Sequence, residues 1–316
     1  MKILVTPTSM AGGSSSPAME RLRTFADEIV FNPTGRPLTP EELLPLLRGC
    51  QGYIAGLDQI TAQVLEGCPD LRVVSRYGAG CDAVDIASAR RLGITVTNTP
   101  GVNAQGVAEL AMGLILSAAR KLPALDHATK SGRWVRSTGV ELCGRTVGIV
   151  GLGAIGKRLA KCCAGFGMAL TACDPQIDPA YCRENRIEPL SFSELLRRAD
   201  VISLHLPLND QTRHIIGREA IAQMRDGAIV VNTSRGAIVD EDAAYEALVS
   251  GKLGGLGLDA FEVEPPDNCR LMTLDNVVTT PHTGAHTIEA IRNMQECAVD
   301  NLIAVLSGHP CRNIVS

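Results

Sequence analysis

Aromatic residues are scarce in this chain: Trp, Tyr and Phe together make up 3% of its 316 residues. That leaves little material for the stacking platforms that hold single-stranded bases. No basic block stands out, and the formal net charge is −4. Both facts speak against nucleic acid or an anionic membrane as partner. No apolar run reaches the roughly 18 residues of a membrane span. The opening "MKILVTPTSM" has too short an apolar stretch for a signal peptide and reads as a first strand. A cytoplasmic protein is expected. Cysteine is not scarce, at 11 residues, but no C-x-x-C pair occurs, which removes zinc ribbons and thioredoxin-like motifs. An odd, scattered set of cysteines reads as small buried thiols in a reducing compartment. There is no internal repeat. The one small-residue tract, "SMAGGSSSP" at Ser9–Pro17, is too short for a linker.

What is present is the composition of a globular chain, 45% hydrophobic and 20% charged, long enough for two domains. Short apolar runs alternate with helix-like segments, the βαβ signature of a parallel sheet. Strands are expected at Ile3–Thr6, Gly52–Ala55, Val73–Arg76 and Thr95–Thr97. Helices are expected near Ala18–Phe25, Pro40–Leu47, Thr61–Glu66 and Asp85–Leu92. A second series of strands falls at Thr146–Val150, Ala169–Cys173, Val201–Leu206, Ala228–Asn232, Gly255–Leu258 and Val277–Thr279. The fold class is therefore α/β, with two doubly wound parallel sheets in tandem. Pro100-Gly101 breaks the pattern ahead of a long apolar helix running to about Ala119, a natural domain connector. From about His286 one more helix runs to Gly308 and Pro310, placed to return to the first domain.

The segment "VGIVGLGAIGKRLAKCCAGFGMALTACDP" carries G-x-G-x-x-G between a strand and a helix. Gly151 makes the tight turn, Gly153 lets a pyrophosphate approach the backbone, and Gly156 lets the helix pack close to the sheet. Ala154 and Ile155 open the helix, whose unpaired N–H groups face the phosphates. Asp174 ends the next strand. There its carboxylate would accept hydrogen bonds from the adenosine ribose and repel a 2′-phosphate, so NAD is favoured over NADP. The bland alternative is a packing turn without a ligand.

Three later strand ends carry chemistry-bearing residues. "VVNTSRGAIVD" puts Arg235 just past a strand, where a guanidinium can bind a carboxylate bidentately. "GLGLDAFEVEPP" brings Asp259, Glu262 and Glu264. "VVTTPHTGAHT" brings His282, a plausible acid/base with a carboxylate partner. His282 and His286 stand four apart, but Thr283 breaks H-E-x-x-H and Gly284 argues against one regular helix. No metal site is expected.

Taken in order, "GLGAIG", "HLPLNDQTRHII", "VNTSRGAIVDEDA", "GLGLDAFEVEPP" and "TPHTGAHT" resemble the D-isomer-specific 2-hydroxyacid dehydrogenase family, in particular its phosphoglycerate dehydrogenase-like and hydroxypyruvate reductase-like branches. The resemblance covers nearly the whole chain. It implies a Rossmann-type NAD domain, residues 102–284, inserted in a flavodoxin-like substrate domain made of residues 1–101 and 285–316. It implies hydride transfer between NAD(H) and a D-2-hydroxy acid or 2-keto acid, with 3-phosphoglycerate, hydroxypyruvate and glyoxylate as candidates.

By the same resemblance Arg235 binds the substrate carboxylate and the reacting carbonyl oxygen, His282 is the general acid/base, and Glu264 is its carboxylate partner. Asp259 lies near the nicotinamide carboxamide. Pro207, Thr212, Thr233, Ser234, His282 and Gly284 line the cofactor. In "SRYGAGCDAVD" the backbone N–H groups near Tyr77 and Gly78 take the carboxylate. Arg76, with the Ser9–Pro17 loop, is a candidate for meeting a phosphate. A homodimer is implied, formed through the helix Val107–Ala119 and the following "RKLPALDHATKSGRW". A corepressor-like NAD-sensing protein of the same fold keeps the same catalytic residues and stands as the alternative. NADH oxidation with a panel of keto acids separates the two.

Overall fold

The computed structural model describes residues 1–10 and 15–315, so residues 11–14 of the Ser9–Pro17 tract lie outside the described residues. The chain divides into two compact units, 1–103 with 287–316, and 104–286.

The first unit runs β1 (Lys2–Val5), α1 (Pro17–Phe25), β2 (Glu28–Phe31), α2 (Pro40–Leu47), β3 (Gly52–Ala55), α3 (Ala62–Glu66), β4 (Val73–Arg76), α4 (Ile86–Arg91) and β5 (Thr95–Thr97). All five strands are parallel, in the order β2-β1-β3-β4-β5, the flavodoxin-like order. Polar side chains cap the helices where the sequence supplies them. Ser16, Thr39, Thr61 and Asp85 each accept a backbone N–H from the first turn of α1 to α4. At the switch between β1 and β3 the buried Asp58 accepts Tyr53 Oη at 2.7 Å and Leu38 N at 2.7 Å, and it also pairs with Thr6 Oγ1.

The second unit begins with α5 (Ala104–Arg120) and α6 (Leu122–Lys130). It continues β6 (Thr146–Val150), α7 (Ala154–Gly165), β7 (Ala169–Cys173), α8 (Pro179–Glu184), β8 (Ile187–Pro189), α9 (Phe192–Arg198) and β9 (Val201–Leu204). It ends with α10 (Arg218–Gln223), β10 (Ala228–Asn232), α11 (Glu241–Ser250), β11 (Leu253–Leu258) and β12 (Val277–Thr279). The seven parallel strands lie in the order β12-β11-β10-β9-β6-β7-β8. The chain moves outward from β6 to β8, then returns to β9 on the other side, so the switch point falls between β6 and β9. α5 and α7 bury their apolar stripes on one face of this sheet, and α9 to α11 on the other. The last helix, α12 (Ile288–Leu306), returns to the first unit and packs Ala298, Val299, Leu302 and Leu306 beside α1 on its five-stranded sheet.

Two strands, β2 and β8, go beyond the sequence expectation. Both are sheet edges, short and only half covered, and β8 ends on Pro189, which an edge tolerates. β9 stops at Leu204 instead of reaching Leu206.

Candidate active site

The glycine turn has the geometry its spacing demands. Gly151 adopts φ +96°, and a Cβ there would lie 2.3 Å from the His205 carbonyl oxygen. A Cβ on Gly156 would lie 2.2 Å from the Gly151 oxygen, so the first turn of α7 sits directly against β6. At Gly153 a Cβ would meet nothing within 4 Å. Gly153 is also the N-cap of α7 and offers no side-chain cap. The first N–H groups of α7 are thus left for another acceptor, with open space in front of the turn. Asp174 closes the turn from the next strand, its Oδ2 accepting Leu152 N at 2.7 Å and its Oδ1 accepting Gln176 N at 2.8 Å. Each oxygen keeps a lone pair for a ribose hydroxyl. These residues fit a dinucleotide.

The loops after β9 and β10 line the same edge. Thr212 Oγ1 donates to Pro207 O at 2.7 Å, folding that loop on itself. After β10, buried Asn232 shapes the bend that carries Thr233, Ser234 and Arg235. Its Oδ1 accepts Ser234 N at 3.0 Å and its Nδ2 donates to Arg235 O at 2.7 Å. Ser234 Oγ reaches back to Leu204 O at 2.7 Å. Sequence reasoning misses Asn232 as a site residue, although an amide ending an otherwise apolar strand is a visible signal.

Arg235, Glu264 and His282 are brought together within the second unit. Gly236 permits this, because a Cβ there would lie 1.8 Å from the backbone of Phe261. The loop after β11 therefore presses against Arg235. In that loop Glu264 Oε1 accepts Phe261 N at 3.1 Å. His282 Nδ1 lies 2.8 Å from Glu264 Oε2 and 3.1 Å from Oε1. Burial pushes the Glu264 carboxyl up. The hydrogen bond and charge of His282, the Phe261 N–H and the charge of Arg235 outweigh this and hold it below the usual carboxylate range. A second pair, His214 with Glu262, ties the loop after β9 to the loop after β11.

Asp259, only 2% exposed, holds the segment that presents His282. It accepts Thr280 Oγ1 at 2.6 Å and Thr283 N at 2.7 Å on Oδ1, and Gly284 N at 2.8 Å on Oδ2. His282 itself sits in the left-handed region at φ +53°, a conformation that a non-glycine residue keeps only when its surroundings enforce it. Gly284 keeps its neighbours close, since a Cβ there would lie 3.0 Å from Asp259 Oδ2. No group of three or more His, Cys, Asp or Glu suited to a metal occurs among the described residues.

The loop after β4 differs from expectation. Tyr77 N donates to Ala55 O at 2.9 Å, and Gly78 N donates to Thr99 Oγ1 at 3.0 Å. Both N–H groups expected to take a carboxylate are already engaged. Arg76 is 4% exposed, and its Nη1 donates to Ala55 O at 3.1 Å and to Tyr77 O at 2.6 Å. Its guanidinium fastens the loop. Tyr77 Oη is likewise engaged, accepting from Ser9 Oγ at 3.0 Å and lying 3.3 Å from Ile291 O.

A parallel sheet with a glycine turn at its switch point, and an arginine and a carboxylate–imidazole pair along the same edge, define a dinucleotide-dependent oxidoreductase. The family described as D-isomer specific 2-hydroxyacid dehydrogenase, NAD binding domain, matches residues 112–284, and the chain belongs to this family. It is 40% identical to a D-3-phosphoglycerate dehydrogenase of Methanocaldococcus jannaschii, over 100% of this chain and 59% of that protein. It is 43% identical to a hydroxypyruvate reductase of Thermotoga maritima, over 83% of this chain and 86% of that one. The crystal structure of an Aquifex aeolicus D-lactate dehydrogenase complexed with NAD and lactic acid superposes with a TM-score of 0.85 at 28% identity, over 99% and 98% of the two chains. The chain spans only about three fifths of the length of its Methanocaldococcus relative.

Proposed function

We propose that the protein interconverts a D-2-hydroxy acid and its 2-keto acid. NAD(H), held at the glycine turn, supplies or accepts the hydride at C2. The observation that carries the proposal is the His282–Glu264 pair, 2.8 Å apart, beside Arg235 in the NAD-binding unit. Because the ionised Glu264 accepts, His282 carries a proton on Nδ1, which leaves Nε2 to face the substrate oxygen. In the reductive direction His282 Nε2 delivers a proton to the C2 oxygen. Arg235 holds the carboxylate and stabilises the charge that develops on that oxygen. Glu264 orients the imidazole, while Asp259 and Asn232 position the backbone on which His282 and Arg235 stand. Asp174 and the Gly151–Gly156 turn hold the adenosine and pyrophosphate parts.

The first unit serves as the substrate domain in this reading. Within that unit, Tyr77 N and Gly78 N are engaged, which leaves the next N–H groups of the loop, those of Ala79 and Gly80, as its own candidates for binding an anion. Arg76 acts by shaping that loop, which favours unphosphorylated 2-keto acids such as hydroxypyruvate and glyoxylate over 3-phosphohydroxypyruvate. Exposed apolar side chains in the segment after α5 support a homodimer: Leu122, Trp134 at 81% exposure, Val135 and Val140. Free thiols at all 11 cysteines agree with a cytoplasmic location. The test is NADH oxidation with hydroxypyruvate, glyoxylate, pyruvate and 3-phosphohydroxypyruvate. Turnover of none of them would leave the corepressor-like reading in place.

A further inference from the structure

Glu241 is the first residue of α11, the helix that follows Arg235 and its turn. The helix does not use this side chain to cap itself, because the preceding Asp240 already accepts Ala243 N at 3.0 Å. The half-buried Glu241 carboxylate reaches the loop after β11 instead. Its Oε1 accepts Glu262 N at 2.9 Å, and its Oε2 accepts the Cys269 thiol at 3.5 Å. Glu264 lies between those two tethers. Beside Cys269, the Arg270 guanidinium stacks on the ring of Tyr245, 3.8 Å from its centroid. Tyr245 stands one turn along α11 from Glu241, so one face of that helix grips the far end of the loop twice.

The near end of the loop links this grip to Glu264. Phe261 N and Glu262 N are successive donors, divided between two carboxylates. Phe261 N donates to Glu264 Oε1 at 3.1 Å, and Glu262 N donates to Glu241. The Glu262 side chain is itself engaged with His214. Without Glu241, Glu262 N becomes an unclaimed donor next to the one Glu264 already uses. A carboxylate drawn onto both successive N–H groups gains a charge-assisted hydrogen bond and turns from its partner on the other side, His282 Nδ1 at 2.8 Å. The same connection carries Arg235, whose next residue, Gly236, lies against the Phe261 backbone. The segment from Arg235 to Glu241 thus meets the loop at Phe261, Glu262 and Cys269, and fixes where Glu264 stands relative to Arg235.

We propose that Glu241 is a positioning residue for the acid/base pair: by tethering both ends of the loop after β11 it keeps the Glu264 carboxylate on His282. In this role it touches neither substrate nor cofactor. This rests on the acid/base reading of His282 and Glu264.

The test compares Glu241→Ala, Glu241→Gln and Cys269→Ala with the unsubstituted protein. The measurements are the kinetics of 2-keto acid reduction, calorimetric affinity for NADH, and hydrogen exchange of peptides covering residues 260–270. Glu241→Ala should lower kcat by about three- to tenfold, the scale of one net hydrogen bond. KM for the keto acid and NADH affinity should stay near normal, since Arg235 and the glycine turn are untouched. Exchange should quicken in residues 260–270 and not in the strands of the sheet. Glu241→Gln keeps an acceptor for Glu262 N and should recover most of kcat. Cys269→Ala, which cuts only the second tether, should cost less than Glu241→Ala. Unchanged kcat or unchanged loop exchange in Glu241→Ala overturns the proposal. So does a loss that Glu241→Gln fails to recover, or exchange that quickens throughout the sheet, the sign of a general loss of stability. Reduction of none of the four keto acids by the unsubstituted protein fails the acid/base reading and takes the catalytic role of the tether with it, whereas unchanged kcat in an active enzyme fails the tether alone.

Discussion

Glu264→Gln isolates charge from shape at the proton-transfer pair. Glutamine keeps the shape but only one acceptor oxygen, which can serve His282 Nδ1, now 2.8 Å from Oε2, while its NH2 then takes the place of the oxygen that accepts Phe261 N at 3.1 Å. What disappears is a negative charge roughly 4 Å from the centre of the imidazole charge. At that separation the interaction is worth between about 1 kcal/mol in water and about 4 kcal/mol at the dielectric of a partly enclosed site. Both side chains are about a third exposed, at 30% and 32%, so the lower half of that range applies. A shift of one pH unit corresponds to about 1.4 kcal/mol. Reduction requires the imidazole protonated and oxidation requires it neutral, so reductive kcat/KM falls with rising pH while oxidative kcat/KM climbs. In Glu264→Gln the reductive limb should move to lower pH, with activity at acidic pH partly retained. His282→Ala should remove the limb and most of the rate. The limb belongs to the coupled pair rather than to either residue. The measurement is kcat/KM against pH in both directions for wild type and both variants. An upward shift in Glu264→Gln, or a limb that persists in His282→Ala, refutes the assignment and turns attention to Glu262 and His286.

The same carboxyl makes a stability prediction. Its folded value is held below its ordinary 4.5. Its contribution is therefore fully present above that pH and is lost as pH falls through the folded value, so the gap in thermal midpoint between wild type and Glu264→Gln should close in acid. Asp174→Ala should weaken NADH and raise the NADPH-to-NADH preference, since a charge that repels a 2′-phosphate has gone; an unchanged ratio means another residue reads the ribose. Arg235→Gln should cost about 100- to 1,000-fold in kcat/KM for the keto acid with NADH affinity near normal, and a matching fall in NADH affinity would contradict the carboxylate role. Gly156→Ala should abolish NADH binding, because the new methyl would lie 2.2 Å from the Gly151 oxygen. Full binding would show that the turn relaxes freely. Light scattering at micromolar concentration should give a dimer mass, and a monomer would remove the role proposed for Trp134.

Much of the cofactor site is local and legible in the chain itself. The glycine spacing, the helix after it and Asp174 lie within one βαβ unit, where strand and helix geometry convert sequence distance directly into position. The order of strands and the positions of Arg235, Glu264 and His282 at strand ends follow from the same alternation of apolar runs and turn residues. Folding alone decided which of those ends meet. Gly236 matters because Phe261, from the next strand's loop, crosses it, and Asp259 matters because Thr283 and Gly284 return to it. The left-handed turn at His282 has no local signature, since proline and threonine flank it and the Asp259 clamp that holds the segment comes from another strand end. In the loop after β4, local reading offers Tyr77 N and Gly78 N to a ligand, but Ala55 and Thr99 from neighbouring strands have taken both. Short edge strands and the tethers made by Glu241 escape a sequence for the same reason. Whether a backbone or side-chain group is satisfied depends on neighbours distant in the chain, and the periodicity of apolar residues carries no record of them.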